Sequence, residues 1–169
     1  KNAKSALNKI GAKLIEIPYT KNISSSIIHK RFFEQNQPSF RSGKYLERLI
    51  KSKKITRIIE THSPLSALIA ENVFHIKNGN KAEFDGFWSS SLTDSTLKGK
   101  PDIEILDLNQ RLLNINEIFD VTRKPLIMDI DTGGKLEHFS INCKIIERNS
   151  VSAISMEDKT GLKKNSLFG

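Results

Sequence analysis

Two carboxylates followed by glycines form the segment Asp129-Ile130-Asp131-Thr132-Gly133-Gly134. The glycines allow the backbone to approach a ligand closely. Mg2+ binds oxygen ligands, usually one or two carboxylates together with several waters. A further acid, Glu157, follows a later apolar segment. The pattern therefore predicts a Mg2+ site, while an Asp-rich turn that caps the next helix is the alternative interpretation.

Hydroxyl side chains are concentrated between Ser89 and Thr93, directly after Trp88. Hydroxyl groups and backbone N–H groups of such a loop can hold phosphoryl oxygens. The stretch therefore predicts a phosphate-binding segment, with a serine-rich loop as the alternative. The chain contains neither a GxGxxG nor a GxxxxGK[ST] pattern, so these two nucleotide-binding signatures are missing.

Each of these polar groups follows a short apolar segment that is typical of a strand. The predicted strands are Arg57–Glu60, Phe84–Trp88, Pro125–Asp129 and Val151–Met156. The predicted helices are residues 45–52, Ser63–Val73, Asp102–Phe119 and Lys135–Arg148. Such alternation indicates an α/β fold with parallel strands covered by helices, whose strand ends share one face. Two architectures satisfy it: an open doubly wound sheet and part of a (β/α)8 barrel.

The charge distribution argues against a nucleic-acid partner. The 169 residues carry a net charge of +8. Residues 1–60 hold 14 Lys and Arg against 4 Asp and Glu, whereas residues 61–169 hold 13 against 15. The basic side chains of the first part are scattered rather than placed on one helix face, which favours a solvated surface or an anionic-ligand site.

Location and completeness are also predicted from the sequence. No apolar run approaches the roughly 20 residues that span a bilayer, so we expect no membrane partner. The single cysteine, Cys143, excludes an internal disulfide framework and fits a cytoplasmic protein; its helical pattern predicts a core position. Because the chain opens at Lys1 rather than Met, we expect a fragment of a longer protein.

Residues 44–169 resemble the N-terminal half of the phosphoenolpyruvate mutase family, in the isocitrate lyase/phosphoenolpyruvate mutase superfamily. The matching segments, in order, are KYLERLIKSKKI, IIETHSPLSALIAE, FDGFWSSSLTDSTLKGKPD, PLIMDIDTGG and SMEDKTGLKKNSL. The resemblance implies a (β/α)8 barrel, of which this chain would supply about the first four βα units. It also implies Mg2+ as cofactor, a small-molecule substrate and a homo-oligomeric full-length protein.

The resemblance assigns roles to individual residues. Asp129 matches the direct Mg2+ ligand, and Asp131 and Glu157 match carboxylates that hold metal-bound water. Asp102 matches the central catalytic aspartate. The substrate-contacting segment and the gating loop are matched by Trp88, Ser90 and Leu92 and by Lys163 and Asn165, respectively. The family segment usually reads Trp-Gly-Ser-Gly-Leu-Ser, so Ser89 and Ser91 replace glycines here.

The implied reaction is the interconversion of phosphoenolpyruvate and phosphonopyruvate, which forms a P–C bond. Phosphonopyruvate hydrolysis is the alternative on the same scaffold, and Asn165 favours the mutase. A superfamily C–C lyase is disfavoured because the lyase loop carries a cysteine, whereas this chain has Lys163-Lys164-Asn165-Ser166. An inactive binding or structural remnant is the non-enzyme alternative.

The N-terminal part resembles a different family. The segment IEIPYTKNISSSII is similar to the closing segment of a cytidylyltransferase-type nucleotidyltransferase domain, where a hydroxyl-rich turn contacts nucleotide phosphate. Ser24, Ser25 and Ser26 would fill that turn, with a hydroxyl-capped helix start as the alternative. The expected organisation is a nucleotidyltransferase-like tail over 1–33, part of another α/β domain, a linker over 34–43 and the barrel segment over 44–169.

Overall fold

The computed structural model describes residues 43–159, 161, 163 and 164, together with residues 7, 10–12, 15 and 24. Ser24 is therefore described by itself. The linker and nearly all of the predicted nucleotidyltransferase-like tail, including Ser25 and Ser26, lie outside the described residues, as does Asn165. No helix among the described residues is long and apolar enough to cross a membrane.

The centre of the fold is a four-stranded parallel sheet. Its strands are β1 (Ile58–Glu60), β4 (Gly86–Ser89), β5 (Leu126–Asp129) and β6 (Ala153–Ser155), adjacent in that order. Glu60 pairs with Trp88, Trp88 with Ile127 and Ile127 with Ala153. All four predicted strands are thus present, and the predicted α/β fold with a parallel sheet is confirmed.

A two-stranded antiparallel hairpin, which was not predicted, stands apart from the sheet. It consists of β2 (Phe74–Lys77) and β3 (Asn80–Glu83). The two residues between them, Asn78 and Gly79, have φ angles of 52° and 75°. An Asn-Gly pair with positive φ at both positions is the preferred two-residue hairpin turn.

Five helices are present among the described residues: α1 (Gly43–Ser52), α2 (Pro64–Asn72), α3 (Ser91–Leu97), α4 (Leu108–Val121) and α5 (Phe139–Arg148). The prediction for α2 is confirmed, with the Ser63 hydroxyl accepting from the Ser66 N–H and with Pro64 in the first turn.

Two other helix predictions and one loop prediction need correction. The helix expected at Asp102 begins only at Leu108, because the Asp107 carboxylate caps it at the Gln110 N–H (3.0 Å). A loop was expected after β4, yet Ser90 caps the short helix α3 there. The helix expected from Lys135 is a 3-10 turn, Leu136–His138, followed by α5. Cys143, expected in the core, is only half-buried.

The core lies between the sheet and the helices. Phe87, Leu126 and Met128 point from β4 and β5 into this layer and are fully buried. They meet α4 through an apolar stripe at helical spacing: Leu112, Ile115, Ile118 and Phe119. Gly86 lets β4 approach β5 closely, since a Cβ there would lie 2.7 Å from the Pro125 carbonyl oxygen. This packing holds the carboxyl ends of the strands together at one edge of the sheet.

Candidate active site

The carboxyl ends of β4, β5 and β6 carry most of the predicted site residues. The loops after β5 and β6 are joined by backbone hydrogen bonds from the Ile130 N–H to the Ser155 carbonyl (2.9 Å) and from the Glu157 N–H to the Asp131 carbonyl (2.8 Å). Asp131 has a φ of 55°. Gly133 has a φ of 85°, and a Cβ there would lie 2.7 Å from the Met156 sulfur. The turn after β5 is thus tightly fitted against the end of β6.

Asp129 is held by neutral donors. Its Oδ2 accepts a hydrogen bond from the Ser91 hydroxyl at 3.0 Å, and its Oδ1 accepts one from the Asp131 N–H at 3.0 Å. Within the part of the chain that the structure describes, Asp129 forms no ion pair. It is also only half-buried. Its negative charge is therefore available to an external cation.

Lys163 lies among the other acids. Its ammonium group donates to Asp102 Oδ1 at 2.8 Å, to the Ser91 hydroxyl at 3.0 Å and to Asp131 Oδ1. All four side chains are buried. Burial alone would lower the pKa of Lys163, but the hydrogen bonds that its ammonium group donates to Asp102 and Asp131 outweigh burial and raise the pKa above the ordinary 10.5. The ammonium group therefore stays charged at neutral pH.

A buried arginine, which the sequence patterns did not single out, lies next to the cluster formed by Lys163, Ser91, Asp102 and Asp131. Arg111, in α4, donates from Nε to Asp94 Oδ2 at 3.0 Å. Its terminal nitrogens donate to the carbonyl oxygens of Ser89 (3.3 Å) and Asp129. One turn further along α4, the Asn114 amide donates to Asp94 Oδ1 (3.3 Å) and to the His62 carbonyl after β1 (3.2 Å).

The predicted site residues make different contacts at this edge of the sheet. Lys163 contacts both Asp102 and Asp131 directly, and Ser91 links Lys163 to Asp129. The Ser90 hydroxyl accepts from the Thr93 N–H (3.4 Å) and so caps α3. The Glu157 carboxylate pairs with Lys159 at 2.6 Å. Trp88 and Leu92 are half-buried at this edge.

The cluster fits a divalent cation by charge and by donor chemistry. Among the described residues, the four carboxylates of Asp94, Asp102, Asp129 and Asp131 are accompanied by two cations, Arg111 and Lys163, so two negative charges remain uncompensated there. The donors are oxygens, which Mg2+ prefers. Among the described residues no three acidic, His or Cys side chains are grouped closely enough to hold a metal ion together. Few direct protein ligands and several waters are the arrangement expected for Mg2+.

A cavity of about 290 Å3 lies next to this cluster. It is lined by residues from the start of α4, the end of β5 and α5, including Leu106, Met128, Asn142 and Ile146. Asp131 and Arg111 border it, but Asp102, Asp129 and Lys163 do not. The cavity is therefore not where the acids and the ammonium group meet.

Comparison with known proteins identifies the family. Residues 46–168 match the family model described as phosphoenolpyruvate phosphomutase. The chain belongs to the phosphoenolpyruvate phosphomutase family. The resemblance seen in the sequence segments is confirmed at this level, and the relatives of the family are enzymes that include mutases and hydrolases.

Three relatives illustrate the match. The phosphoenolpyruvate phosphomutase of Tetrahymena pyriformis is 32% identical over 140 residues, which cover 82% of this chain and 42% of that protein. The crystal structure of the phosphoenolpyruvate phosphomutase from Streptomyces platensis subsp. rosaceus superposes with a TM-score of 0.65 and 30% identity, covering 76% of this chain and 42% of that one. A phosphonopyruvate hydrolase in complex with oxalate and Mg2+ gives a TM-score of 0.59 and 31% identity, with coverages of 72% and 40%.

The chain spans about two fifths of the length of these relatives. Mutases and hydrolases match at nearly the same identity. The comparison therefore shows the family and leaves the reaction open between these activities.

Proposed function

We propose that the protein containing this chain interconverts phosphoenolpyruvate and phosphonopyruvate with the help of Mg2+. In this isomerisation the P–O bond of the enol phosphate breaks, a P–C bond forms at the neighbouring carbon, and no other reactant is consumed. The observation that carries the proposal is the combination of an uncompensated carboxylate, Asp129, with the buried Asp102–Lys163–Asp131 cluster.

Asp129 would hold Mg2+ directly, and Asp131 and Glu157 would hold it through water. When bound, the ion supplies positive charge that stabilises the negative charge of an enolate oxygen. The Mg2+ bound to the related hydrolase supports this choice of cofactor. Ser91 keeps Asp129 in place through its 3.0 Å hydrogen bond.

Asp102 and Lys163 would act on the phosphoryl group. Lys163 carries a fixed positive charge that can orient phosphoryl oxygens, as preorganised donors do in phosphoryl transfer. Asp102, held at 2.8 Å from that ammonium group, would receive or position the migrating phosphoryl group. Trp88, Ser90 and Leu92 would contact the substrate from the β4 side. Residues 158–167, including Asn165, would exclude water, which protects a reactive phosphoryl intermediate from hydrolysis.

The partial barrel is also a proposal, and the packing of the sheet supports it. The two outer strands are less buried than the central pair, and Ile154 of β6 is 36% exposed. A barrel would cover such edges by closing. Residues 1–33, as the proposed end of a nucleotidyltransferase domain, would then precede a barrel of which this chain forms the first part.

The products from phosphonopyruvate distinguish the candidate reactions. We expect the intact protein with Mg2+ to release phosphoenolpyruvate. Pyruvate and inorganic phosphate in equal amounts would instead establish a hydrolase. Absence of any product, under conditions in which the Tetrahymena mutase is active, would favour the inactive remnant and contradict the proposal.

A further inference from the structure

We infer that Arg111 is a positioning residue that fixes the carboxyl ends of β4 and β5 relative to each other and thereby sets the geometry of the proposed Mg2+ site. The inference rests on the proposed function, because the groups that Arg111 would position are the proposed ligand Asp129 and its neighbour Asp131.

The contacts of Arg111 span the site. Its terminal nitrogens reach the carbonyl oxygens of Ser89 and Asp129, which are the last residues of β4 and β5. The residues that follow these carbonyls include Ser91 and Asp131. One terminal nitrogen also lies 3.8 Å from Asp131 Oδ2. A single buried side chain therefore touches both loops that carry the site.

The arginine is itself held in a fixed orientation. Its Nε donates to Asp94 Oδ2, and Asp94 accepts further hydrogen bonds from the Ser89 hydroxyl (3.2 Å) and the Asn114 amide (3.3 Å). Arg111 and Asp94 are each 4% exposed. The planar guanidinium group, with donors in a fixed fork, can satisfy several acceptors at once, which an ammonium group cannot do in the same geometry.

Stability alone does not explain this arginine. Replacing a buried ion pair by well-packed apolar residues of similar volume is often neutral or even stabilising. An apolar residue at position 111 would suit the stripe of α4, whose neighbour Leu112 packs into the core. What an apolar residue cannot supply is the set of hydrogen bonds to the two strand ends.

The test compares three variants of the intact protein. Arg111→Lys keeps the charge and loses the fork. The double variant Arg111→Met with Asp94→Asn removes both charges together, so that Asp94 is not left as a buried charge without its partner. Ile115→Val, one turn along α4 in the core, is the matched control that weakens packing without touching the site. For each variant we would measure the melting temperature, the Mg2+ dissociation constant by calorimetry and amide exchange at residues 89–92 and 129–132.

Loss of a residue that orients metal ligands typically weakens metal binding by about 10–100-fold. We expect this loss in Arg111→Lys and in the double variant, even where the double variant melts near the wild-type temperature. We also expect faster amide exchange at both strand ends without Mg2+, and no such change in Ile115→Val.

Mg2+ affinity within twofold of wild type and unchanged exchange in the folded double variant would overturn the inference. If the wild-type protein itself binds no Mg2+ and converts no phosphonopyruvate, the proposed function fails. The amide exchange measured without metal then decides the role of Arg111 by itself.

Discussion

Replacing Lys163 by methionine removes the positive charge between Asp102 and Asp131 while keeping a side chain of similar length. Asp102 loses a hydrogen bond of 2.8 Å, Ser91 loses one of 3.0 Å, and Asp131 loses its contact with the ammonium group. Preorganised donors of this kind are worth about 10²–10³ in kcat when they act on developing charge. We therefore expect kcat for phosphonopyruvate to fall by about 10²–10³-fold in Lys163→Met.

The assay is steady-state turnover of phosphonopyruvate by the intact protein at saturating Mg2+. Lys164→Met is the matched control, since Lys164 is the exposed neighbour of Lys163 and should keep kcat within about twofold. A kcat of Lys163→Met equal to that of the control would refute the assigned role.

Since the folded pKa of Lys163 lies above 10.5, its contribution to stability is complete below pH 10.5 and disappears only as the pH rises through that higher value.

Three further predictions concern the scaffold. Burial raises the pKa of Asp85, but the hydrogen bonds from the Arg57 N–H (2.8 Å) and from Lys53 outweigh burial and lower the pKa below 3.8. The stability that Asp85 contributes should therefore be present above pH 3.8 and be lost as the pH falls through the lower folded value. Asp85→Asn should flatten that part of the acid-denaturation curve. Gly133→Ala should lower the free energy of unfolding by about 1–2 kcal/mol, because the φ of 85° at this position is left-handed. An unchanged midpoint in urea denaturation would contradict the tight fit of the turn after β5. Residues 43–169 expressed alone should self-associate in sedimentation through their exposed strand edges, and a stable monomer would argue against the partial barrel.

Much of the fold could be predicted from the sequence, because the spacing of apolar residues that is typical of strands and helices is visible within short segments. The apolar segments identified all four sheet strands, and the parallel order follows from the helices between them. The missed hairpin had a local signal too, since Asn78-Gly79 lies between Phe74 and Ile76 on one side and Ala82 on the other. An Asn-Gly pair between such apolar residues predicts a two-residue hairpin turn.

The polar network of the site could not be predicted in the same way. Arg111 and Asp94 are 17 residues apart, and nothing in their spacing indicates that they pair inside the core. Arginine in a helix is most often a surface residue. The acids of the site were easier to identify, because they follow strands directly and the family segments contain them. Their partners became evident only when α3 and α4 were placed against the sheet.

The dependence of turnover on Mg2+ concentration tests the proposed role of Asp129 as Mg2+ ligand most directly. Phosphonopyruvate turnover would be measured against Mg2+ for the intact wild-type protein, Asp129→Asn and Asp107→Asn. Asp107→Asn makes the same chemical change at an exposed helix cap, where asparagine serves equally well. We predict that wild type and Asp107→Asn require Mg2+ with the same midpoint, and that Asp129→Asn loses at least about 100-fold in turnover at every Mg2+ concentration. Wild-type turnover by Asp129→Asn at low Mg2+ would contradict the role of Asp129 as Mg2+ ligand.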